Sequence, residues 1–140
     1  DKNPIHSFKT VIEEGVFSGC SSLKQVSISS SICEIGQNAF INCESLTKVL
    51  IPSSVKKIGP YAFHNCSSLI EIQIPSSVTE IGDLAFFNCS SLKSISIPSS
   101  VTKIGERVFG ECKSLKQIII PSSFSISDIG INSNVKVVKI

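Results

Sequence analysis

The sequence contains no methionine and no tryptophan, and it has only one tyrosine, two histidines and 17% charged residues. With so few histidines and no paired carboxylates or glycine-rich phosphate loop, the usual motifs of catalysis and nucleotide binding are missing. No apolar run approaches the roughly 18 residues that a membrane-spanning helix requires. The net charge of +2 is too small for the basic stripe typical of nucleic-acid binding. These absences disfavour an enzyme, a membrane-spanning segment and a nucleic-acid-binding protein.

The sequence does contain one segment that is repeated five times in a fixed register. The cleanest copy, Ile81 to Lys103, reads IGDLAFFNCSSLKSISIPSSVTK, and a shift of 23 residues in either direction gives a closely similar segment. Self-similarity at a fixed period of this length is the signature of a stacked-repeat solenoid, in which no coil is stable alone. No insertion or deletion separates the copies, which begin at Ile12, Ile35, Ile58, Ile81 and Ile104.

Large apolar residues recur at the same position of each copy and define vertical ladders. If each copy forms one coil, identical side chains stack at about the 4.8 Å spacing of paired strands and bury one another. We therefore expect the ladders to form the core of the solenoid. The main ladders are Ile35, Ile58, Ile81 and Ile104; Phe17, Phe40, Phe63, Phe86 and Phe109; and Leu23, Leu46, Leu69, Leu92 and Leu115.

Within a coil, the alternation of polar and apolar residues in Leu92–Ile97 predicts a short strand that pairs with its equivalents in one parallel sheet. The proline that follows ends the strand because it has no donor for the ladder, and the Ser-Ser pair after it suits a turn. Gly82 and its equivalents are expected to supply a second bend with φ above zero. Asp83–Asn88 has room for one or two helical turns that end at a left-handed asparagine. Where Glu111 replaces this asparagine, Gly110 is expected to take the bend.

We expect a single solenoid domain over residues 1–140. Residues 1–11 lie outside the repeat and are expected to form an N-terminal cap or partial repeat, and residues 12–126 hold the five 23-residue copies. Residues 127–140 are expected to form a C-terminal capping strand, because terminal repeats must close an exposed edge. The opening residues Asp1–Pro4 do not form a signal peptide, which leaves the compartment open.

The order Leu-x-x-Ile-x-Ile-Pro-Ser-Ser-Val-x-x-Ile-Gly-x-x-Ala-Phe-x-x-Cys resembles the BspA-type leucine-rich repeat. It is carried by Leu69–Cys89 and by Leu92–Cys112, in which Val108 replaces the alanine. The resemblance implies an α/β repeat fold: a right-handed leucine-rich-repeat solenoid with a parallel β-sheet on the concave face and short helices, 3-10 turns and loops elsewhere. It also implies a location at the surface of mucosal bacteria or of protists such as trichomonads. Proteins of this type resemble adhesins there.

Five of the six cysteines occupy one ladder. In-register stacking holds their Cβ atoms near 5 Å apart and parallel, beyond the roughly 3.8 Å typical of a disulfide. Zinc needs four ligands that converge on a point rather than a column, so we expect buried free thiols, no metal and no cofactor. Cys33 lies off the ladder, and a reactive or pairing role stays open for it. The ladder holds Cys20, Cys43, Cys66, Cys89 and Cys112.

Two tripeptides, Asn65-Cys66-Ser67 and Asn88-Cys89-Ser90, match the acceptor sequence for N-glycosylation. Both asparagines also have a structural explanation as turn residues beside the thiol ladder. Glycosylation of Asn65 or Asn88 therefore stays an open alternative, and only for a secreted eukaryotic protein.

The informative positions are those at which the copies differ while the repeat pattern holds. In each strand, the residues on either side of the inner apolar residue point outward onto the sheet face. They form no ladder of one type, which fits either drift at solvent-facing positions or a mixed protein-binding surface. Leu50 and Ile119 are possible apolar anchors there, whereas Ile41 and Phe87 could instead mark a convex contact. The candidate protein-binding residues are Gln25, Ser27, Lys48, Leu50, Glu71, Gln73, Ser94, Ser96, Gln117 and Ile119.

The sequence and the resemblance together favour a non-catalytic protein-binding module, located at the cell surface or secreted, that acts in adhesion or host interaction. The expected partner is a protein of the extracellular matrix or of the host-cell surface, and self-association through the sheet edges stays open. Two alternatives remain: an intracellular scaffold or regulator that binds a protein partner, and a spacer segment of a larger surface protein. The thiol ladder does not separate them, because buried thiols survive oxidising surroundings.

Overall fold

The computed structural model describes residues 10–127 and 129–140 as one solenoid in which every strand pairing is parallel. His6 and most of the expected N-terminal cap lie outside the described residues. No helix long and apolar enough to cross a membrane occurs in the described ranges. The strands are β1 (Val11–Ile12), β2 (Gln25–Ser27), β3 (Glu34–Ile35), β4 (Lys48–Leu50), β5 (Lys57–Ile58), β6 (Glu80–Ile81), β7 (Ser94–Ser96), β8 (Lys103–Ile104), β9 (Gln117–Ile120) and β10 (Lys136–Lys139).

Each full coil passes through two strand positions, of which the sequence predicted one. The predicted position holds β2, β4, β7 and β9, and the final strand β10 pairs with β9. The second position lies just before the conserved place of the glycine in each copy, as in Glu80–Ile81 before Gly82. The strands at this position form a five-stranded sheet in the order β1-β3-β5-β6-β8. The solenoid wall therefore has hydrogen-bonded strands on two sides.

The single sheet that the sequence predicts from Leu92–Ile97 and its equivalents is interrupted at its centre. Residues 71–74 keep the alternation of exposed and buried side chains. Within the described part of the chain, however, they make no backbone hydrogen bond to the coil on either side. The strands are therefore split into a two-stranded sheet, β2-β4, and a three-stranded sheet, β7-β9-β10.

The predicted ladders form the core. The rings of the phenylalanine ladder stack almost parallel, with successive centroids 5.2–5.8 Å apart and interplanar angles of 4–8°. The leucine ladder is buried along its whole length. Because each side chain packs on its own kind in the next coil, the repeat sequence fixes the vertical order of the solenoid.

The short helices, and with them the α/β description, are not found in residues 10–127 and 129–140. In Asp83–Asn88 the backbone N–H groups of Leu84 and Phe86 donate to carbonyls of the following coil, at 3.0 Å each, rather than within a helix. Leu84 itself has a left-handed backbone with φ of 52°. The expectation that Gly110 would replace Asn88 in the next bend is also wrong, because Glu111 takes the left-handed conformation with φ of 57°.

The glycine before this turn serves close approach rather than a bend. Gly36, Gly59, Gly82 and Gly105 do not have positive φ, which corrects the sequence-based expectation. A Cβ atom on Gly82 would lie 2.5 Å from the backbone nitrogen of Pro60 in the preceding coil. Only a residue without a side chain lets the two backbones pack at this distance.

Candidate functional site

The ten candidate binding residues lie on the strand face, which we define as the outward side chains of β2, β4, residues 71–73, β7 and β9. The register places Lys48 beside Gln25 and Leu50 beside Ser27. Gln117 lies beside Ser94 in the same way, and its side chain is half-buried, as is that of Ile119. The remaining eight candidates are exposed.

A groove of about 500 Å³ opens on the strand face across four consecutive coils. The groove is also lined by Val49, Ile72, Ile74 and Ile95, whose side chains are buried in the core, and by Pro98. The groove thus lies over the segment where the sheet is interrupted. Gln25 and Ser27 do not line it; the candidates that do are Lys48, Leu50, Glu71, Gln73, Ser94, Ser96, Gln117 and Ile119.

The groove combines opposite charges, neutral polar groups and apolar side chains. Lys48 and Glu71 come from adjacent coils, and neither forms an ion pair within the described residues. The ion pair found there joins Lys57 and Glu80, on the other sheet, at 3.8 Å. Leu50 is 54% exposed and is the most accessible apolar side chain of the groove. The groove therefore offers hydrogen-bonding, ionic and apolar contacts close to one another. Interfaces between proteins combine the same three kinds of contact.

Ile70 is an exposed apolar residue that the sequence reasoning missed. It precedes the interrupted segment, is 47% exposed, and accepts a hydrogen bond from the backbone of Lys93 at 3.2 Å. The equivalent positions in other copies hold lysine or threonine, and this difference was the signal that could have identified it.

The cysteine ladder belongs to the core and not to a reactive site. The thiols of Cys43, Cys66, Cys89 and Cys112 each donate to the carbonyl of a phenylalanine of the preceding coil, with Sγ–O distances of 3.1–3.3 Å. Burial raises the pKa of Cys43 to about 11 and that of Cys112 to about 12, and it also raises the pKa values of Cys66 and Cys89 well above the ordinary thiol value. The prediction of free thiols is confirmed for all five ladder cysteines, although Cys20 is half-buried, and Cys33 is free and half-buried as well.

The alternative contact at Ile41 and Phe87 is only partly exposed. The Phe87 ring stacks on His64 at 5.2 Å, and the Arg107 guanidinium lies 5.1 Å from its centroid in the next coil. Both faces of Phe87 are thus occupied by neighbouring side chains, so this ring is not an open apolar anchor. Burial lowers the pKa of His64, whose Nδ1 atom is buried with no hydrogen-bond partner among the described residues.

Comparisons with known proteins agree on the type of repeat. A sequence model of the BspA type leucine rich repeat region matches residues 10–138 in 6 copies. A leucine-rich repeat protein of T. pallidum is 29% identical, over 99% of this chain and 68% of its own, with a TM-score of 0.86. One from Bacteroides ovatus is 31% identical, over 99% of this chain and 42% of its own, with a TM-score of 0.81.

A leucine rich cell surface protein from Faecalibacterium prausnitzii is 38% identical, over 79% of this chain and 33% of its own, with a TM-score of 0.67. The chain therefore spans about two thirds of the T. pallidum protein and less than half of the other two. Among curated proteins there is no match. In the residues that the structure describes, no group of three or more histidine, cysteine, aspartate or glutamate side chains is arranged to hold a metal ion.

Proposed function

The chain belongs to the BspA-type leucine-rich repeat family, and on this premise we propose that it is a non-catalytic protein-binding module of a cell surface. Its partner is a protein of the extracellular matrix or of a host cell, bound in the groove of the strand face. The observation that carries this proposal is the groove itself, since it gathers side chains from four coils that the repeat pattern leaves free to vary.

The distribution of sequence variation supports a binding role for the strand face. Residues that point into the core repeat nearly unchanged, because any change would disturb the stacking of neighbouring coils. At the outward positions of the groove, Lys48 is followed one coil later by Glu71, then by Ser94 and Gln117. A surface of this kind can be complementary to one particular partner, whereas a column of identical side chains cannot distinguish among partners.

The proposed location at the cell surface rests on the relatives. The Faecalibacterium prausnitzii protein is described as a cell surface protein, and it shares 38% identity over 79% of this chain. Labelling of intact cells with a membrane-impermeant reagent tests this location. Labelling of the protein only after lysis would favour an intracellular scaffold instead.

The binding role is tested by capture of the 140-residue chain on immobilised matrix proteins, such as collagen and laminin, and on host cells. We expect a variant with Lys48→Ala, Glu71→Ala and Gln73→Ala to lose most of the binding, because these exposed side chains stand side by side in the groove. Removal of interface anchors typically costs about 1–2 kcal/mol each, which is roughly a tenfold loss per anchor.

A matched control is available on other faces of the same coils. Gln37, Lys103 and Glu106 are exposed, lie outside the groove, and have the same three side-chain types. Their replacement by alanine should leave binding unchanged. Equal binding by the wild type and the groove variant would refute the groove as the site. If the chain bound nothing that the full-length protein binds, the segment would act as a spacer.

A further inference from the structure

Exposed charges are segregated between two sides of the solenoid. The first, which we call the basic side, comprises the strand segments of the strand face, the residue before each segment, and β10. It carries six exposed lysines and one exposed carboxylate, that of Glu71, which gives it a formal charge of +5. The lysines are Lys24, Lys48, Lys93, Lys116, Lys136 and Lys139.

The second, which we call the acidic side, comprises the turns that follow the strands of the second sheet, β1-β3-β5-β6-β8. In these turns five carboxylates and one guanidinium are exposed, which gives a formal charge of −4 with His64 neutral. The net charge of +2 of the whole chain therefore conceals two sides of opposite sign. The turns are residues 13–19, 36–42, 59–65, 82–88 and 105–111, and their charged residues are Glu13, Glu14, Asp83, Glu106, Arg107 and Glu111.

The second sheet, which lies between the two sides along the chain, arranges its charges differently. Glu34 is in register with Lys57, Lys57 with Glu80, and Glu80 with Lys103, so that the sign alternates at every step. Lys57 and Glu80 form the ion pair found in the described ranges, and no described ion pair neutralises the basic side or the acidic side. Each side therefore keeps a charge that a surface of the opposite sign can neutralise.

The acidic side also holds a cluster of ring and guanidinium groups that the repeat pattern does not explain. Tyr61 and Arg107 are the only tyrosine and the only arginine of the chain. The Tyr61 ring packs against His64 with centroids 5.3 Å apart, and the Arg107 guanidinium lies over Phe87, which stacks on His64. Tyrosine and arginine are enriched at the energetic centres of protein interfaces. Because neighbouring side chains already hold them, these two residues would lose little conformational freedom on binding.

The basic side supplies aliphatic groups that suit this cluster. Leu50 and Ile70 come from adjacent coils and are 54% and 47% exposed, which makes them the most exposed large apolar side chains of the basic side. An aliphatic side chain can cover the ring of Tyr61, while lysines around it pair with carboxylates of the acidic side. Each side thus combines a small apolar or aromatic centre with charges of one sign, and protein interfaces typically combine such a centre with a polar rim.

The repeat also matches the two sides in spacing. Both sides belong to the same coils, whose phenylalanine rings follow one another at centroid distances of 5.2–5.8 Å. Charges on the two sides are therefore separated by multiples of one coil height, so that two copies lying parallel can meet coil against coil. An unrelated basic protein would share the sign of the charge but not this spacing.

We propose that the basic side of one copy of the chain binds the acidic side of a second copy, with the two solenoids parallel and side by side. Because the two sides are different surfaces, the contact is heterologous. A pair of copies leaves one basic and one acidic side free, and assembly can continue beyond the dimer. The inference does not rest on the proposed function, although a bound copy would cover Lys48 and Leu50, which belong to the groove as well.

Sedimentation velocity of the intact 140-residue chain measures this contact. At low salt, we expect the weight-average mass to rise above the 15.0 kDa of one chain as the protein concentration increases. The rise should shrink when NaCl is raised from about 50 to about 500 mM, because salt screens exposed charges. A chain that remains monomeric at about 1 mM, where a contact with a Kd of about 1 mM would hold half of the chains, would overturn the proposal. A rise that salt leaves unchanged would overturn it as well.

Two charge-reversal variants test which sides meet. The first reverses three lysines of the basic side and the second reverses three glutamates of the acidic side, so that both sides of each variant carry one sign. Each variant alone should stay at 15.0 kDa. An equimolar mixture should reach about twice this mass, because the unchanged acidic side of the first variant meets the unchanged basic side of the second. A mixture that stays monomeric would overturn this pairing of sides. The substitutions are Lys24→Glu, Lys93→Glu and Lys116→Glu in the first variant, and Glu14→Lys, Glu106→Lys and Glu111→Lys in the second.

The control variant carries Lys56→Glu, Lys103→Glu and Lys113→Glu, which change the net charge as much as the first variant does but lie outside both sides. Circular dichroism checks the fold of every variant. The control should associate like the wild type, and an equal loss of association would overturn the proposal, because net charge alone would then decide. None of the residues changed in the two charge-reversal variants lines the groove. Capture on matrix proteins, measured in parallel, therefore tests the proposed function separately.

Discussion

The Nδ2 atom of Asn65 donates a 2.7 Å hydrogen bond to Oδ1 of Asn42, the equivalent residue of the preceding coil. Asn88 donates to Asn65 in the same way at 2.9 Å. All three residues have left-handed backbones with φ of 60–63°. The three asparagines therefore form a ladder in which the central amide, that of Asn65, is both donor and acceptor. In the folded chain, the nitrogen that N-glycosylation would modify is a hydrogen-bond donor within this ladder.

Replacement of Asn65 tests how much this ladder contributes to stability. Asn65→Ala removes two side-chain hydrogen bonds and replaces asparagine, which tolerates positive φ, with alanine, which tolerates it poorly, so we expect the free energy of unfolding to fall by about 2–3 kcal/mol. Asn65→Gly removes the same bonds without the backbone strain and should cost about 1 kcal/mol less. Urea unfolding of both variants gives the comparison. Equal losses would show that the backbone conformation contributes nothing.

The fold was predictable where one residue type repeats and less so where the backbone conformation departs from the side chain's preference. The Phe63 and Cys66 positions revealed the ladders because stacking requires the same residue in every coil. The left-handed conformations of Tyr61 and Leu84 left no such signal, since neither side chain favours positive φ. These conformations are imposed by hydrogen bonds between coils, such as the bond from the Leu84 N–H to the Glu106 carbonyl. Such bonds exist only when the coils are stacked.

The glycine before each turn should tolerate no side chain. In Gly82→Ala the new Cβ would lie 2.5 Å from the nitrogen of Pro60 and 2.8 Å from the carbonyl carbon of Gly59, both of them backbone atoms. We expect a loss of about 2–4 kcal/mol in the free energy of unfolding. Gly19→Ala is the control, because Gly19 has φ of +70° but no atom within 4 Å of the added Cβ. It should cost only about 1 kcal/mol, and a larger loss than that of Gly82→Ala would contradict this account.

The cysteines should separate into two reactivity classes. Only the thiolate is alkylated readily, and burial raises the pKa of Cys66 and Cys89 well above its ordinary value. In the native protein at about pH 8, iodoacetamide should modify the half-buried Cys33 and Cys20 and leave the buried ladder thiols intact. Mass spectrometry of tryptic peptides gives the sites, and the same reaction in denaturant supplies the reference. Modification of native Cys89 as fast as that of Cys33 would contradict the buried ladder.

Acid should destabilise the protein through His64. Burial lowers the pKa of this imidazole in the folded state, so the unfolded chain binds the proton more tightly. The resulting stability is fully present above the unfolded pKa of about 6.5 and is lost as pH falls below it toward the folded value.

The variant His64→Phe isolates this contribution. It keeps an aromatic ring against Phe87 and removes both the titration and the unpartnered Nδ1 atom. Between about pH 7.5 and 5.5, which bracket the unfolded pKa, the free energy of unfolding should fall more in the wild type than in the variant. Parallel pH profiles of the two proteins would rule out His64 as the source.

The outward direction of the strand-face side chains was predictable from the sequence, but the groove was not. Alternation in the strands indicated that Lys48 and Glu71 face outward, and the structure places both in the groove. The interruption at residues 71–74 left no signal, because the alternation of side chains continues through it.

The alternating charges of the second sheet should make stability sensitive to the sign of the charge at Lys103. Lys103 is in register with Glu80, which is in register with Lys57. Lys103→Glu would place two carboxylates opposite one another and should lower the free energy of unfolding by about 0.2–1 kcal/mol at low salt, because like charges at paired positions repel. Urea unfolding at low and high salt measures the effect, which should shrink as salt screens the repulsion. A Lys103→Glu protein that is as stable as the wild type at low salt would contradict this account.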